Sequence, residues 1–366
     1  MSQRSSLGSL RKIGEDRWQA RVYVGRDSQT GKRIYKASNV RGSKRKGEAE
    51  VVRLAAMAGR APELVTRMTL GDFVDGVWLP SCRQRLRADT VQGYESSMRA
   101  RVLPAIGRVE LTSLRPSDVD EMLSAIPTPG ARRKAYSTLR AALKWAMRRR
   151  LVESVATDAV DPPAQSGYEP DTLSATEASA LLAAFRGSPV EAGVLMAMGT
   201  GMRRSEVCAL DWEDVDLDSR EVDVRRRYLI VDGEPDMGQT KTRNSRRVVS
   251  IPAAFARRLA EIRPELDGDG THPLMESPRA PGVRMPPDTF SHVYRRTVEG
   301  AGLRYVPLKN LRHSHATIML DSGVDVVTVS RRLGHASVST TDRFYLRPRR
   351  AADERAAGAF DGLGLL

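Results

Sequence analysis

The run from Asp161-Pro162-Pro163 to Asp171 is the feature that most limits how this chain can fold. Consecutive prolines remove backbone donors and interrupt helix and central strand alike. The residues around them are small or polar and carry no apolar period, so the run reads as a linker. A chain of 366 residues is too long for one ordinary core, and here is a natural place for it to divide. The composition elsewhere marks a second boundary near Pro62. The expected domains are therefore 1–62, 69–160 and 171–366.

Each part has its own periodicity. Within residues 10–40, Trp18, Ala20, Val22 and Val24 alternate with Gln19, Arg21 and Tyr23, the period of a half-buried strand. Asp27 to Gly31 is a turn cluster and Lys32 to Ser38 can return beside it. Lys44 to Gly59 has the spacing of a helix. The first part is thus expected to be a small three-stranded sheet plus a helix, with Gln19, Arg21 and Tyr23 facing outward, where they can donate to phosphates and base edges. The second is expected to be all-helical. Thr69 and Asp72 form a capping pair ahead of Leu70, Phe73, Val74, Val77 and Trp78. Further helices are expected at 90–101, 117–125 and 131–150. The third part opens on a capping box, Ser174 with Glu177, and mixes helices with Val- and Ile-rich strands at 221–231 and 245–251. Asp288 is expected to cap a later helix. The fold class is multidomain and mainly α, with a mixed α+β third domain holding a small sheet.

Charge narrows the partner. The chain carries 59 Lys+Arg against 45 Asp+Glu, a formal charge of +14. Residues 1–60 hold 15 basic and 5 acidic residues, and 304–350 hold 9 and 3. The segment 130–150 has eight basic residues and no acid. Several separate basic stretches fit a protein that touches a polyanion, above all DNA, at several places. Arg132, Arg133, Lys134, Arg140 and Lys144 are the candidate contacts in the helical part. No apolar run approaches the ~18 residues of a membrane span. Two cysteines and five histidines make neither a disulfide framework nor a zinc site, so no metal and no cofactor is expected.

Three strings in the third part carry chemistry. They are Gly199-Thr-Gly-Met-Arg203-Arg-Ser-Glu206, Lys309-Asn-Leu-Arg312-His-Ser-His315, and Leu333-Gly-His335 followed by Tyr345. Thr240-Lys241-Thr242 lies between the first two. The set suits phosphoryl transfer without a metal. A guanidinium never loses its proton and can bind two phosphate oxygens at once, so Arg203 and Arg312 form a natural clamp. Tyr345 is a weak nucleophile at an ordinary pKa near 10, and nearby cations favour its phenolate. Lys241 can protonate a leaving 5′ oxygen. There is no Gly-Lys-Ser/Thr loop of the nucleotide-binding kind.

On these strings the chain resembles the tyrosine recombinases of the phage-integrase family, whose motifs occur in the same order. The resemblance implies that Arg203 and Arg312 bind the phosphate, Lys241 is the general acid and His335 bonds the cut phosphate. It makes Tyr345 the nucleophile of a 3′-phosphotyrosine. Residues 69–160 would be the SAM-like core-binding domain and 1–62 an arm-type DNA-binding domain. Lys309 stands where the family has His; charged, it can hold phosphate but cannot accept a proton. The resemblance also implies core- and arm-type sites on double-stranded DNA, a homotetramer, a directionality factor and a host DNA-bending protein. It further implies the cytoplasm of a bacterial cell, near the nucleoid. Two other readings share parts of this pattern: strand relaxation of the type IB topoisomerase kind, and a non-catalytic DNA-binding regulator. The joint presence of Arg203, Lys241, Arg312, His335 and Tyr345 argues against the regulator, and the separate basic N-terminal part argues for recombination. Arg204, Arg246 and Arg247 are expected at the surface or on the DNA backbone, and Glu206 within the helix start of Arg203.

Overall fold

The computed structural model describes residues 3–4, 8–26, 33–57, 68–164, 170–239, 246–266, 271–278 and 280–335. By its contacts the chain divides into two units, Met1–Tyr168 and Glu169–Leu366. Lys241 and Tyr345, together with the rest of the tail, lie outside the described residues.

In the first unit, strands β1 (Gly8–Gly14), β2 (Arg17–Arg26) and β3 (Arg33–Arg41) form the expected antiparallel sheet, and Gln3–Arg4 adds a short pairing at the outer edge of β1. Alternation puts Ala20 and Val22 on the inner face, fully buried with Val51, Leu54 and Ala55 of helix α1 (Lys44–Met57). Trp18 donates its indole N–H to the Gly42 carbonyl at 2.9 Å. On the outer face the Arg21 guanidinium lies 4.0 Å from the centre of the Tyr35 ring, which meets Tyr23 edge-on at 5.6 Å.

The helical part begins where Thr69 caps α2, its Oγ1 accepting from the Asp72 N–H at 3.2 Å. This helix runs through Leu70–Phe73, a π segment Val74–Trp78, and Leu79–Arg83. α3 joins Ala88–Ser97, a π segment Met98–Val102 and Leu103–Ile106. α4 is Pro116–Ser124 and α5 is Pro129–Arg148. Both start slightly earlier than the apolar period predicts, because proline is preformed for the first helical position. The inner face of α5 buries Ala135, Tyr136, Leu139, Ala142 and Leu143. Near its end Trp145 is buried against Phe73, while Met147 is 38 % exposed.

The second unit opens on its capping box. Ser174 Oγ accepts from the Glu177 N–H, and the Glu177 carboxylate accepts from the Ser174 N–H at 2.8 Å. Helix α6 (Ala175–Ala184) leads to α7 (Glu191–Thr200), every residue of which is buried. α8 (Arg204–Val207) follows at once. Strands β4 (Val215–Asp216), β5 (Glu221–Val224) and β8 (Arg247–Ser250) make a three-stranded antiparallel sheet in that order. β6 (Arg226–Val231) and β7 (Glu234–Gln239) form a hairpin closed by Asp232-Gly233, both at positive φ. The long strand expected over 221–231 thus breaks at Arg225, whose side chain turns aside to pair with Asp214 and Asp223. After α9 (Ala253–Ile262) and the small hairpin β9 (Glu276–Ser277) and β10 (Ala280–Arg284) comes α10 (Pro287–Gly300). Pro286 occupies its cap and Pro287 its first position, so Asp288 falls inside the first turn instead of capping it. α11 (Leu311–Asp321) and α12 (Val326–Leu333) complete the described fold.

Candidate active site

Helix α7 ends at Gly201, whose φ of +67° is a left-handed cap that L side chains rarely adopt. A Cβ there would stand 2.6 Å from both His315 Cδ2 and Leu333 Cδ2, so only glycine lets α11 and α12 close on the end of α7. Two residues on, Arg203 caps α8 in extended conformation. Its backbone N–H donates to Glu206 Oε2 at 2.9 Å and its guanidinium to Oε1 at 2.7 Å. Glu206 is 3 % exposed and the Arg203 side chain 41 %, so a buried carboxylate fixes an arginine that still reaches solvent. Burial alone would raise the Glu206 pKa; Arg247 and Arg203 outweigh it and hold the carboxyl below its ordinary value.

Arg312, the second residue of α11, ties the strings together. It donates to the Gly201 carbonyl at 2.8 Å and to the Leu333 carbonyl at 2.7 Å. These carbonyls belong to the segments that carry Arg203 and His335. Gly334 ends α12 in the left-handed region at φ +66°, and the His335 N–H returns to the Ser330 carbonyl at 3.1 Å. Burial, and then the charges of Arg312 and Arg203, push the His335 pKa down to about 4, so its imidazole is neutral near pH 7. His313 falls to about 4 as well, from burial and the charges of Arg312 and Lys309. Lys309 is exposed, in the turn Leu308–Asn310 that leads into α11. Arg203, Arg312 and His335 therefore gather at one place, with Lys309 and His313 beside them. Among the described residues, no group of three His, Cys, Asp or Glu could hold a metal ion.

Comparisons with known proteins place the chain in a family. Residues 171–351 match the model of the phage integrase family, and 69–126 match its N-terminal SAM-like domain. An integrase of Streptomyces ambofaciens is 28 % identical over 386 residues, covering 95 % of this chain and 93 % of the relative. The tyrosine recombinase XerD of Mycobacterium tuberculosis is 31 % identical over 301 residues, covering 74 % and 91 %. The chain belongs to the phage integrase family of tyrosine recombinases. It is a DNA strand-transferring enzyme of site-specific recombination, and DNA is its partner. The fold agrees with a Tn1549 transposon integrase in complex with transposon right-end DNA, at a TM-score of 0.67 and 17 % identity, covering 81 % of this chain and all of that one. None of the recombinase's described helices is long and apolar enough to cross a membrane.

Some arginines of this recombinase sit otherwise than the sequence suggests. Arg247 is not a surface residue: its side chain is 8 % exposed and meets Glu206 at 3.0 Å. The strand pattern held the signal, because Arg247 shares the inward face with buried Val249 while Val248 points out. Arg204 reaches back to α10, donating to Asp288 Oδ1 at 3.0 Å and Ser291 Oγ at 2.7 Å. Arg332 escaped notice, and so did its bond to His315. The Arg332 guanidinium serves the carbonyls of Gly199 and Ser250 and meets His315 Nε2 at 3.2 Å, while His315 Nδ1 faces the Met198 carbonyl at 2.8 Å.

Of the candidate DNA contacts of α5, Arg133, Arg140 and Lys144 share one side of the helix, and all five have partners. Arg132 caps the Ile126 carbonyl, Arg133 donates to the Pro163 carbonyl at 2.8 Å, and Lys134 lies over the Tyr94 ring. Arg140 and Lys144 both turn to Asp158, at 2.9 Å and 4.0 Å. They line a cleft of about 710 Å³ with Tyr136 and Pro162.

Proposed function

We propose that this recombinase cuts and rejoins DNA with Arg203 and Arg312 binding the two non-bridging oxygens of the phosphate at the cut. The observation that carries this is the pair of bonds from Arg312 to Gly201 and Leu333, which hold the Arg203 and His335 segments together. The Tyr345 oxygen attacks phosphorus, the bond from phosphorus to the 5′ oxygen breaks, and a 3′-phosphotyrosine forms. Lys241 gives a proton to the departing 5′ oxygen. The phenol proton passes to His335, whose neutral imidazole has a basic nitrogen; charged Lys309 can only donate, and it supports the phosphate and the phenolate. A 5′ hydroxyl from the partner duplex then reverses the step. The phosphate ester is conserved throughout, so no external energy source is required.

In this reading the sheet and α1 take arm-type sites through Gln19, Arg21 and Tyr23. The helical part takes core-type DNA through Arg132, Arg133, Lys134, Arg140 and Lys144. Four copies act together on DNA, with a directionality factor for excision and a host bending protein. The decisive experiment is covalent trapping on DNA from the element's own ends. Tyr345→Phe is expected to bind that DNA and form no adduct; an adduct in this variant would displace Tyr345 as the nucleophile.

A further inference from the structure

Arg247 lies against both the Arg203 and the His335 segments and takes no part in the chemistry assigned to them. It is the first residue of β8, just after the segment that contains Lys241. Its Nη2 meets Glu206 Oε2 at 3.0 Å, and the other oxygen of the same carboxylate holds the Arg203 guanidinium. Its Nε donates to the Arg332 carbonyl at 2.8 Å, two residues before the cap that turns the chain into His335. The side chains of Arg247 and Glu206 are 8 % and 3 % exposed. A guanidinium so enclosed cannot lie against a phosphate, yet its charge reaches the site, being among those that depress the His335 pKa.

We propose that Arg247 is a positioning residue for strand cleavage. It sets Arg203 by fixing the carboxylate that Arg203 pairs with, and it sets His335 by fixing the end of α12. The planar fork is what the place demands, since it serves a carboxylate and a carbonyl in different directions at once. A lysine has one nitrogen and can satisfy either partner from a given position. The proposal rests on the reading that Arg203 and His335 hold the phosphate at the cut.

The test compares single-turnover adduct formation on two core-site duplexes, one with the natural phosphate and one with a neutral methylphosphonate at the cut. The methyl group removes the anionic charge that the clamp is there to neutralise. Arg247→Met is expected to slow adduct formation on the phosphate by about 10²-fold, the cost of a clamp set about an ångström wrong. Core-site affinity should hold, and the deficit should largely vanish on the methylphosphonate. Arg247→Lys should fall between Met and wild type. An equal deficit on both duplexes, or none on the phosphate, would overturn the proposal, because a general loosening of the fold does not distinguish the two substrates. If Arg247→Met does not fold, Glu206→Gln combined with Arg247→Met leaves no buried charge unpaired and is judged by the same pair of rates. Arg203→Ala is measured alongside. Full activity in that variant sinks the reading of Arg203 itself, whereas a deficit there with none in Arg247→Met sinks the positioning role alone.

Discussion

The arginines of the candidate site and those of α5 are held by partners of opposite character. Arg312 is bonded to two backbone carbonyls, and Arg203 and Arg247 share one carboxylate that is 3 % exposed. On α5, Arg140 and Lys144 share Asp158, and all three side chains are about 40 % exposed. The first kind of contact is shielded from salt and admits one geometry. The second is open to water, is worth little in stability, and can be exchanged for another anion. A reacting phosphate needs its donors in place beforehand, and a DNA backbone needs only charge that can be redirected. In the proposed reading one residue type thus serves two purposes, and burial of its partner decides which.

The sharpest way to break this contrast is to remove one arginine of each kind. Arg312→Ala is expected to cut adduct formation by about 10²–10³-fold. Arg140→Ala should leave the rate at saturating DNA unchanged and weaken only binding. Comparable losses in rate from the two variants would erase the distinction.

Acid should also separate the units. His313, His315 and His335 have folded pKa values of about 4, below the ordinary 6.5. For a depressed pKa the unfolded chain takes up protons first. The stability of the second unit is therefore full above about pH 6.5 and is lost as pH falls toward 4. The first unit has no histidine, so its melting should lack this histidine-linked loss. Melting followed by probes in each unit checks this, and a second unit whose melting is flat over that window would contradict the assigned pKa directions.

The smallest effect concerns Asp158. Asp158→Asn removes the anion that competes with DNA phosphate for Arg140 and Lys144. DNA affinity should rise by a few-fold, on the order of one surface ion pair, and the gain should shrink as salt is added. Unchanged affinity at low salt would mean that this face does not meet DNA.

Much of this arrangement was legible in the residues. Thr69 with Asp72 and Ser174 with Glu177 mark two helix starts because capping is local chemistry, decided within four residues. The strings around Arg203, Arg312 and His335 were legible because their order and types suit one reaction. Arg247 was misread because a charged residue at a strand edge looks like surface, and only its distant partner Glu206 makes burial tolerable. Asp158 carried no signal at all, since its pairing with Arg140 spans 18 positions and depends on how the chain after α5 folds back. The strand expected over 221–231 broke for the same kind of reason: Asp214, a residue outside it, claims Arg225.

Gly201 has a practical consequence for anyone who wishes to retarget this enzyme by mutation. Its backbone is left-handed, and the space where a side chain would begin is taken by His315 and Leu333. Alanine, the smallest change available, would push apart the helices that carry Arg312 and His335. Position 201 therefore has an alphabet of one letter. A library that spends diversity there would return inactive clones.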